Sequence, residues 1–247
     1  MPSEDYMDLD ERDERDDIMD EDNDLVDDVD DNDTDDNDTD DTEDAEDTVT
    51  FASLGLPEEI LAAVTDMGFR VPTPIQAAAI PPLLELRDVV GIAQTGTGKT
   101  AAFGLPLLAI VDADERDVQA LVLAPTRELA MQSAQAIEDF AARTARLDVV
   151  PVYGGSPYGP QIGALKRGAQ VVVGTPGRVI DLIEKGALDL SNVRMLVLDE
   201  ADEMLRMGFA EDVETIASSA PDDRLTALFS ATMPAAIEKV AREHLKD

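Results

Sequence analysis

Ala93-Gln94-Thr95-Gly96-Thr97-Gly98-Lys99-Thr100 is the stretch on which the reading of this chain turns. It directly follows an apolar run, Asp88-Val89-Val90-Gly91-Ile92, and directly precedes a helix-compatible run beginning Ala101-Ala102-Phe103. The setting is therefore strand, glycine loop, helix, which is what a phosphate loop needs. Gly96 and Gly98 let backbone N–H groups turn inward around an anion without Cβ crowding. Lys99 supplies a point charge for the β- and γ-phosphates, and Thr100 offers a hydroxyl to Mg²⁺. The pattern implies a nucleoside triphosphate. It departs from the general form G-x-x-x-x-G-K-[ST] at the first position, where Ala93 stands. A glycine-rich turn that only reverses the chain is the plain alternative, so support has to come from the flanking sequence.

Downstream of the loop, apolar runs alternate with helical patterns. Gln119 to Ala124 reads as a buried strand, and Pro125-Thr126-Arg127-Glu128-Leu129 opens a helix to about Thr144. Val149 to Tyr153 is a strand closing on Gly154-Gly155, and Val171 to Gly174 is another. Thr175-Pro176-Gly177-Arg178 then starts a helix with an N-cap Thr and a Pro in its first turn. Met195 to Leu198 leads to Asp199-Glu200-Ala201-Asp202, and Thr226 to Phe229 leads to Ser230-Ala231-Thr232. Continuous apolar strands alternating with helices predict an α/β fold, a mostly parallel sheet covered on both faces. Each polar cluster falls after a strand, at the carboxyl edge where such sheets bind ligands. Gly104 and Pro106 lie within the helix after the loop, where Pro removes a backbone bond and predicts a bend.

Upstream, Glu58 to Met67 reads as an amphipathic helix ending at Gly68. Pro72-Thr73-Pro74-Ile75-Gln76 follows, with Gln76 at the start of a second short helix. Its amide presents a donor and an acceptor side by side, matching the N6/N7 edge of adenine.

The charge of the chain is divided as unevenly as its pattern. Of the formal −36, residues 1–50 carry 27 acidic residues against two Arg, and the remainder carries 28 acidic against 17 basic. Residues 1–47 lack apolar periodicity and cannot bury enough surface to offset chain entropy, which predicts a disordered acidic tail. Its Asp-x-Asp-x-Asp spacing is not a calcium loop, since Asp36 stands where the sixth-position Gly is needed and Thr42 where the twelfth-position Glu is. Its two Asn-Asp-Thr sequons lack an export signal to bring them to glycosylation. Residues 48–247, about 200 in number, are enough for one core that buries roughly 70% of the unfolded surface. The absence of Cys removes disulfides, thiol catalysis and zinc–thiolate sites, and no apolar run reaches the ~18 residues of a membrane span. Both features predict a cytoplasmic protein. Five Lys against 14 Arg, abundant Asp and small core residues are similar to proteins of high-salt cytoplasms. There, ~1 M salt shortens the Debye length to about 3 Å and screens self-repulsion.

Asp199-Glu200-Ala201-Asp202 is the support the loop requires. A carboxylate ending an apolar strand can hold Mg²⁺ opposite Thr100, and a second one residue on can orient and deprotonate water at a γ-phosphate. Taken in order, Gln76, Ala93 to Thr100, Pro125 to Leu129, Gly154-Gly155, Thr175 to Arg178, Asp199 to Asp202 and Ser230 to Thr232 resemble the DEAD-box RNA helicases. The resemblance runs from Phe51 to the end, and Ala at the position of Ala93 is that family's usual form.

The resemblance implies a RecA-like ATP-binding domain over residues 48–247, with ATP and Mg²⁺ as ligands. Phe51 would stack on adenine and Gln76 would read its edge. Ala93, Gln94, Thr95, Gly96, Thr97 and Gly98 would wrap the phosphates, and Lys99 and Thr100 would hold phosphate and metal. Asp199 would position the metal, Glu200 would act as general base, and Asp202, Ser230 and Thr232 would couple hydrolysis to strand separation. Pro125, Thr126, Arg127 and Glu128, with Gly154, Gly155, Thr175, Pro176, Gly177 and Arg178, would contact the RNA backbone. The family's second RecA-like lobe, which carries an arginine finger, has no counterpart within residues 1–247 and would be supplied in cis or in trans. A non-catalytic ATP- and RNA-binding interaction module is the alternative function, and a DNA translocase is disfavoured by Gln76 together with Asp199 to Asp202.

Overall fold

The computed structural model describes residues 49–143 and 147–246, so the acidic tail predicted over residues 1–47 lies outside the described residues. A 3-10 turn at Phe51–Leu54 leads into α1 (Glu58–Asp66) and α2 (Pro74–Leu84). Then β1 (Val89–Ile92), α3 (Lys99–Ile110), β2 (Ala120–Leu123), α4 (Arg127–Ala141), β3 (Val149–Val152), α5 (Tyr158–Arg167), β4 (Val171–Gly174) and α6 (Pro176–Glu184) alternate strictly. The chain closes with β5 (Met195–Leu198), α7 (Ala201–Arg206), α8 (Ala210–Ala217), β6 (Leu225–Ser230) and α9 (Ala235–His244).

The six strands form one sheet in the order β1-β6-β5-β2-β4-β3, every pairing parallel. The continuous apolar strands are explained by cover on both faces. Val122, Val173, Val197, Ala227 and Phe229 point into a core with α1 to α4, whereas Leu121, Leu123, Val172, Leu196 and Leu228 point into a second core with α6 to α9. Among the described residues no helix is long and apolar enough to cross a membrane.

Three local readings differ from what periodicity alone suggests. The helix after Gln76 is not short: α2 continues through Pro81 and Pro82, with Ala79, Ile80 and Leu83 fully buried against the core. Burial outweighs the helix-breaking cost of the two prolines. Likewise α3 runs from Lys99 to Ile110 through Pro106, every residue from Ala101 to Leu108 being buried. Gly104 has a packing reason, since a Cβ there would lie 3.3 Å from the Phe140 ring on α4. Finally, α5, which no stated pattern foretells, forms across Gly159-Pro160, with Pro160 in the first turn where its missing N–H costs nothing.

Gly174 ends β4 where the strand meets its neighbours most closely. A Cβ there would stand 2.6 Å from Val152 Cγ2, 2.7 Å from Val179 Cγ2 and 2.9 Å from the Val152 carbonyl oxygen, and the last cannot yield. Gly174→Ala is expected to destabilise the domain by about 1–3 kcal/mol in a urea melt. Gly159→Ala, with nothing within 4 Å of the new Cβ, should be neutral or stabilising by up to about 1 kcal/mol. Equal effects at the two positions would remove close packing as the reason for Gly174.

Candidate functional site

The sheet order gathers the sequence-predicted residues into two groups along one edge. The segments after β1, β5 and β6 lie together because those strands are neighbours, and so do the segments after β2, β4 and β3. The halves meet where the Asp199 N–H donates to the Leu123 carbonyl (2.9 Å).

In the first half, Ala93 N–H donates to the Ser230 carbonyl (3.0 Å), so the glycine loop leaves β1 bonded to the end of β6. The Thr97 hydroxyl donates to the Gln94 carbonyl (2.7 Å) and closes the turn. Gly98 has φ +89°, and a Cβ there would lie 2.4 Å from Gln76 Nε2, so both backbone and space demand glycine. The amide N–H groups that open α3 follow at once, forming with the loop a cradle suited to an anion. Gln76 was expected to present its amide to adenine. Instead it is 2% exposed, with Oε1 accepting from Thr73 N–H (2.9 Å) and Nε2 donating to the Gly98 carbonyl (3.1 Å). Phe51 is 3% exposed within the core formed with α1 to α4, its ring edge-on to Phe69 at 6.0 Å between centroids. Thr100 stands in the first turn of α3, half-buried.

Lys99 Nζ lies 2.7 Å from Glu200 Oε1, both side chains buried, and the Thr95 hydroxyl donates to the same oxygen (3.2 Å). Glu200 caps α7 in the left-handed region (φ 51°, ψ 48°), a conformation costing roughly 1–3 kcal/mol for a residue with a Cβ. Asp199 Oδ1 accepts from the Glu200 N–H (3.0 Å). Burial pushes the Asp199 carboxyl up to about 6, against the lowering influence of Lys99, while the Glu200 charge adds to the rise. A carboxylate so poorly solvated has strong reason to take a cation. Asp202 is held the other way. Burial would raise it, but donors from the Thr232 and Ser230 hydroxyls and the Ala231 and Glu203 N–H groups outweigh this and keep it below the ordinary carboxylate range. The shortest of these runs from Thr232 Oγ1 to Asp202 Oδ2 (2.8 Å), while the Ser230 hydroxyl also donates to the Thr232 carbonyl (2.7 Å).

In the second half, Thr126 caps α4 by accepting from Leu129 N–H (3.3 Å), leaving Arg127 and Glu128 exposed beside the buried Pro125. Arg127 stacks on Tyr153 (4.7 Å), which precedes the exposed Gly154-Gly155. Thr175, Pro176 and Gly177 open α6, and the Thr175 N–H donates to the Val152 carbonyl (3.0 Å). Arg178, expected at the RNA backbone, is 6% exposed and donates from Nη2 to the Ser156 carbonyl (2.9 Å). Sequence reasoning missed Tyr153 and Tyr158. A planar residue directly after a strand and one shortly beyond a glycine pair were the available signals.

Residues 73–240 match the DEAD/DEAH box helicase family model. The chain is 57% identical over 199 residues to the ATP-dependent RNA helicase DeaD of Haemophilus influenzae, covering 81% of this chain and 32% of that protein. It is 57% identical over 198 residues to the protein of the same name from Escherichia coli K12, covering 80% and 32%. The chain thus spans about a third of the length of these curated relatives. Among solved structures it is similar to a DEAD box protein from Methanococcus jannaschii, with TM-score 0.77 and 45% identity, covering 80% of this chain and 54% of that one.

Two measurements test the electrostatics described above. A double-mutant cycle with Lys99→Ala and Glu200→Gln in urea melts is expected to give a coupling of ~0.5–3 kcal/mol; zero coupling would mean the pair is not formed in solution. The lowered Asp202 pKa contributes stability that is present above its unfolded value and lost as pH falls through the folded one. Thr232→Val should raise that pKa and cost about 1.5–3 kcal/mol at pH 7, the deficit shrinking in acid. Carboxyl-carbon NMR of Asp202 reads the shift directly.

Proposed function

Because the chain belongs to the DEAD/DEAH box helicase family, we propose that its described domain is the amino-terminal, ATP-binding and ATP-hydrolysing lobe of a cytoplasmic RNA helicase, coupling hydrolysis to RNA unwinding or remodelling. The observation that carries this reading is the Lys99–Glu200 contact, which joins the phosphate-loop lysine to the acidic cluster across β6. It brings a phosphate ligand and a base to one point.

The loop Ala93 to Gly98 and the first turn of α3 bind the triphosphate through backbone N–H groups, with Lys99 on the β- and γ-phosphates. Phosphate oxygens compete with Glu200 for the ammonium, so seating ATP frees the carboxylate. Glu200 then orients a water and takes its proton as oxygen attacks the γ-phosphorus and the bond to the β-phosphate oxygen breaks, giving ADP and phosphate. The residues fit Mg²⁺: Thr100 offers a hydroxyl, and Asp199 a buried carboxylate whose second oxygen has no hydrogen-bond donor among the described residues. When bound there, Mg²⁺ supplies charge neutralisation for the transferring phosphoryl group. Gln76 acts on the same loop by holding the Gly98 carbonyl; reading adenine would require it, and Phe51, to leave their present partners. Asp202, Thr232 and Ser230 tie the base-bearing helix α7 to the end of β6 and so transmit the state of the site.

RNA lies along the second half of the edge, contacted by backbone donors at the N-termini of α4 and α6 and by the Gly154-Gly155 turn. A second RecA-like lobe, in cis or in trans, completes that track and supplies an arginine finger.

Single-turnover hydrolysis by the chain, with and without RNA, is the direct test. Binding of ATP with slow, RNA-independent turnover is expected, since a supplied arginine finger is typically worth ~10³ to 10⁵ in rate. Glu200→Gln should keep ATP bound and abolish turnover, whereas Lys99→Ala should weaken binding. Turnover unchanged in Glu200→Gln would remove the base, and ATP bound without any hydrolysis would favour the non-catalytic module. RNA affinity should fall only shallowly with salt, because neutral donors displace no counterions. Each neutralised phosphate adds a slope of about −0.7, so a slope implying on the order of six or more would overturn the backbone-donor reading.

A further inference from the structure

The Gly154-Gly155 turn has almost nothing to hold it. Both residues are exposed, Gly155 has φ +74°, and no heavy atom lies within 4 Å of where a Cβ would stand on either. No hydrogen bond from either glycine appears among the described residues. The turn is pinned only at its shoulders. On one side the Tyr153 carbonyl accepts from Gln161 Nε2 (3.2 Å) and the Tyr153 ring carries Arg127. On the other, the Ser156 carbonyl accepts from Arg178 Nη2 (2.9 Å).

Arg178 is itself elaborately supported. Its guanidinium lies over the Tyr158 ring, Cζ 4.0 Å from the centroid. The Tyr158 hydroxyl donates to Asp181 Oδ2 (2.7 Å), and that same oxygen lies 3.9 Å from Arg178 Nε. Lys185 Nζ stands 4.9 Å from the same ring. Yet Arg178 Nε and Nη1 are buried with no hydrogen-bond partner. Removing a guanidinium from water while leaving two donors unpaired is unfavourable, so the structure carries this cation at a cost to stability. Capping α6 does not require it, since Thr175 and Pro176 already open that helix. What the planar fork does that no other side chain can do is face an aromatic ring and aim a directed N–H at one carbonyl together.

We propose that Arg178 is a positioning residue of the RNA track: it does not meet a phosphate but holds the Gly154-Gly155 turn, through the Ser156 carbonyl, in the shape that presents its N–H groups. Tyr158 and Asp181 set the plane of the guanidinium. The inference rests on the RNA-binding reading above and specifies how one part of that track is kept ready. Ordering a two-glycine turn only at the moment of binding would charge the backbone entropy of both residues against affinity. Pre-setting the turn in the free protein removes that penalty.

The test uses the full chain with a fluorescent single-stranded oligouridylate, titrated by anisotropy at several KCl concentrations in the presence of an ATP analogue. Arg178→Lys keeps the charge and loses the fork; it is expected to weaken RNA binding about tenfold or more, with the salt slope unchanged. A direct phosphate contact predicts the reverse, with affinity largely kept in Arg178→Lys and the slope reduced by about 0.7 in Arg178→Met, and that result would overturn the proposal. Backbone-amide heteronuclear NOEs of Gly154, Gly155 and Ser156 without RNA should fall in Arg178→Lys, as the turn loosens; unchanged values would equally overturn it. If Arg178→Lys fails to fold, Tyr158→Leu removes the supporting ring and should produce the same two changes. Failure of the wild type to bind RNA at all would instead defeat the RNA reading, and the relaxation measurement, which involves no RNA, separates the two.

Discussion

A buried ammonium and a buried carboxylate 2.7 Å apart, Lys99 and Glu200, are the constraint on which the edge of this sheet depends. Neither charge is tolerable alone out of water, and each is delivered by a different strand with β6 between them. The contact therefore depends on where β1 and β5 end against β6, which the parallel register fixes: Ile92 pairs with Ser230 at the end of β6, and Leu198 with Leu228, two residues before it. It also requires Glu200 in a backbone conformation that residues with a Cβ seldom adopt. Asp199, one residue earlier, is carried into the same low-solvent region, which is why its carboxyl is the one pushed upward. Strain and desolvation are thus concentrated within two residues of one strand end. Such concentration is stable only because six paired strands and two cores over-determine that point.

The same strand order explains why two chemistries can share one edge without sharing residues. With β5 and β2 adjacent, the acidic end of β5 stands at the boundary between the phosphate-loop half and the glycine-turn half. Asp202 then reaches back to Thr232 beyond β6, so α7 is tethered on the nucleotide side while β5 is bonded to β2 on the other. By the function proposed, a change in Glu200 would be felt through that tether. The element able to carry it is short, and a charged hydrogen bond holds it in addition to the apolar packing of Ala201 and Met204.

Much of this was legible in the chain itself, and the remainder was hidden for a common reason. Strands, glycine loop and acidic cluster announce themselves locally, through apolar runs, required residue types and the turn that follows each strand. Gln76 and Arg178 were legible as polar residues at helix starts, but their partners, the Gly98 and Ser156 carbonyls, each lie 22 residues away and become neighbours only through the sheet. Phe51 takes its expected stacking role from the resemblance alone, and no local pattern foretells its edge-on contact with Phe69, brought in from beyond α1. The helices α2 and α3 run through their prolines because propensity is a local quantity, whereas α2 is held by burial of Gln76, Ala79, Ile80 and Leu83 and α3 by burial of every residue from Ala101 to Leu108. Strand order is the piece that no local pattern contains, and the division of the edge follows from it alone.

The charge of the domain gives these backbone sites a further logic. With 28 acidic against 17 basic residues beyond position 50, an anion approaching the sheet edge meets a repulsive background. Lysine or arginine placed to attract it would be neutralised by neighbouring carboxylates, as Arg206 is by Glu203 and Arg194 by Glu115 (2.8 Å). Helix N-termini and glycine N–H groups escape that fate, because a fixed dipole cannot be bought off by a mobile side chain and loses little to screening at contact distance. Two cations near the edge are accordingly withdrawn from solvent, Lys99 beneath the loop and Arg178 beneath the glycine turn, 5% and 6% exposed, while the exposed Arg127 is held on the Tyr153 ring. Both act at short range on one partner, where a low local dielectric makes a single directed contact effective.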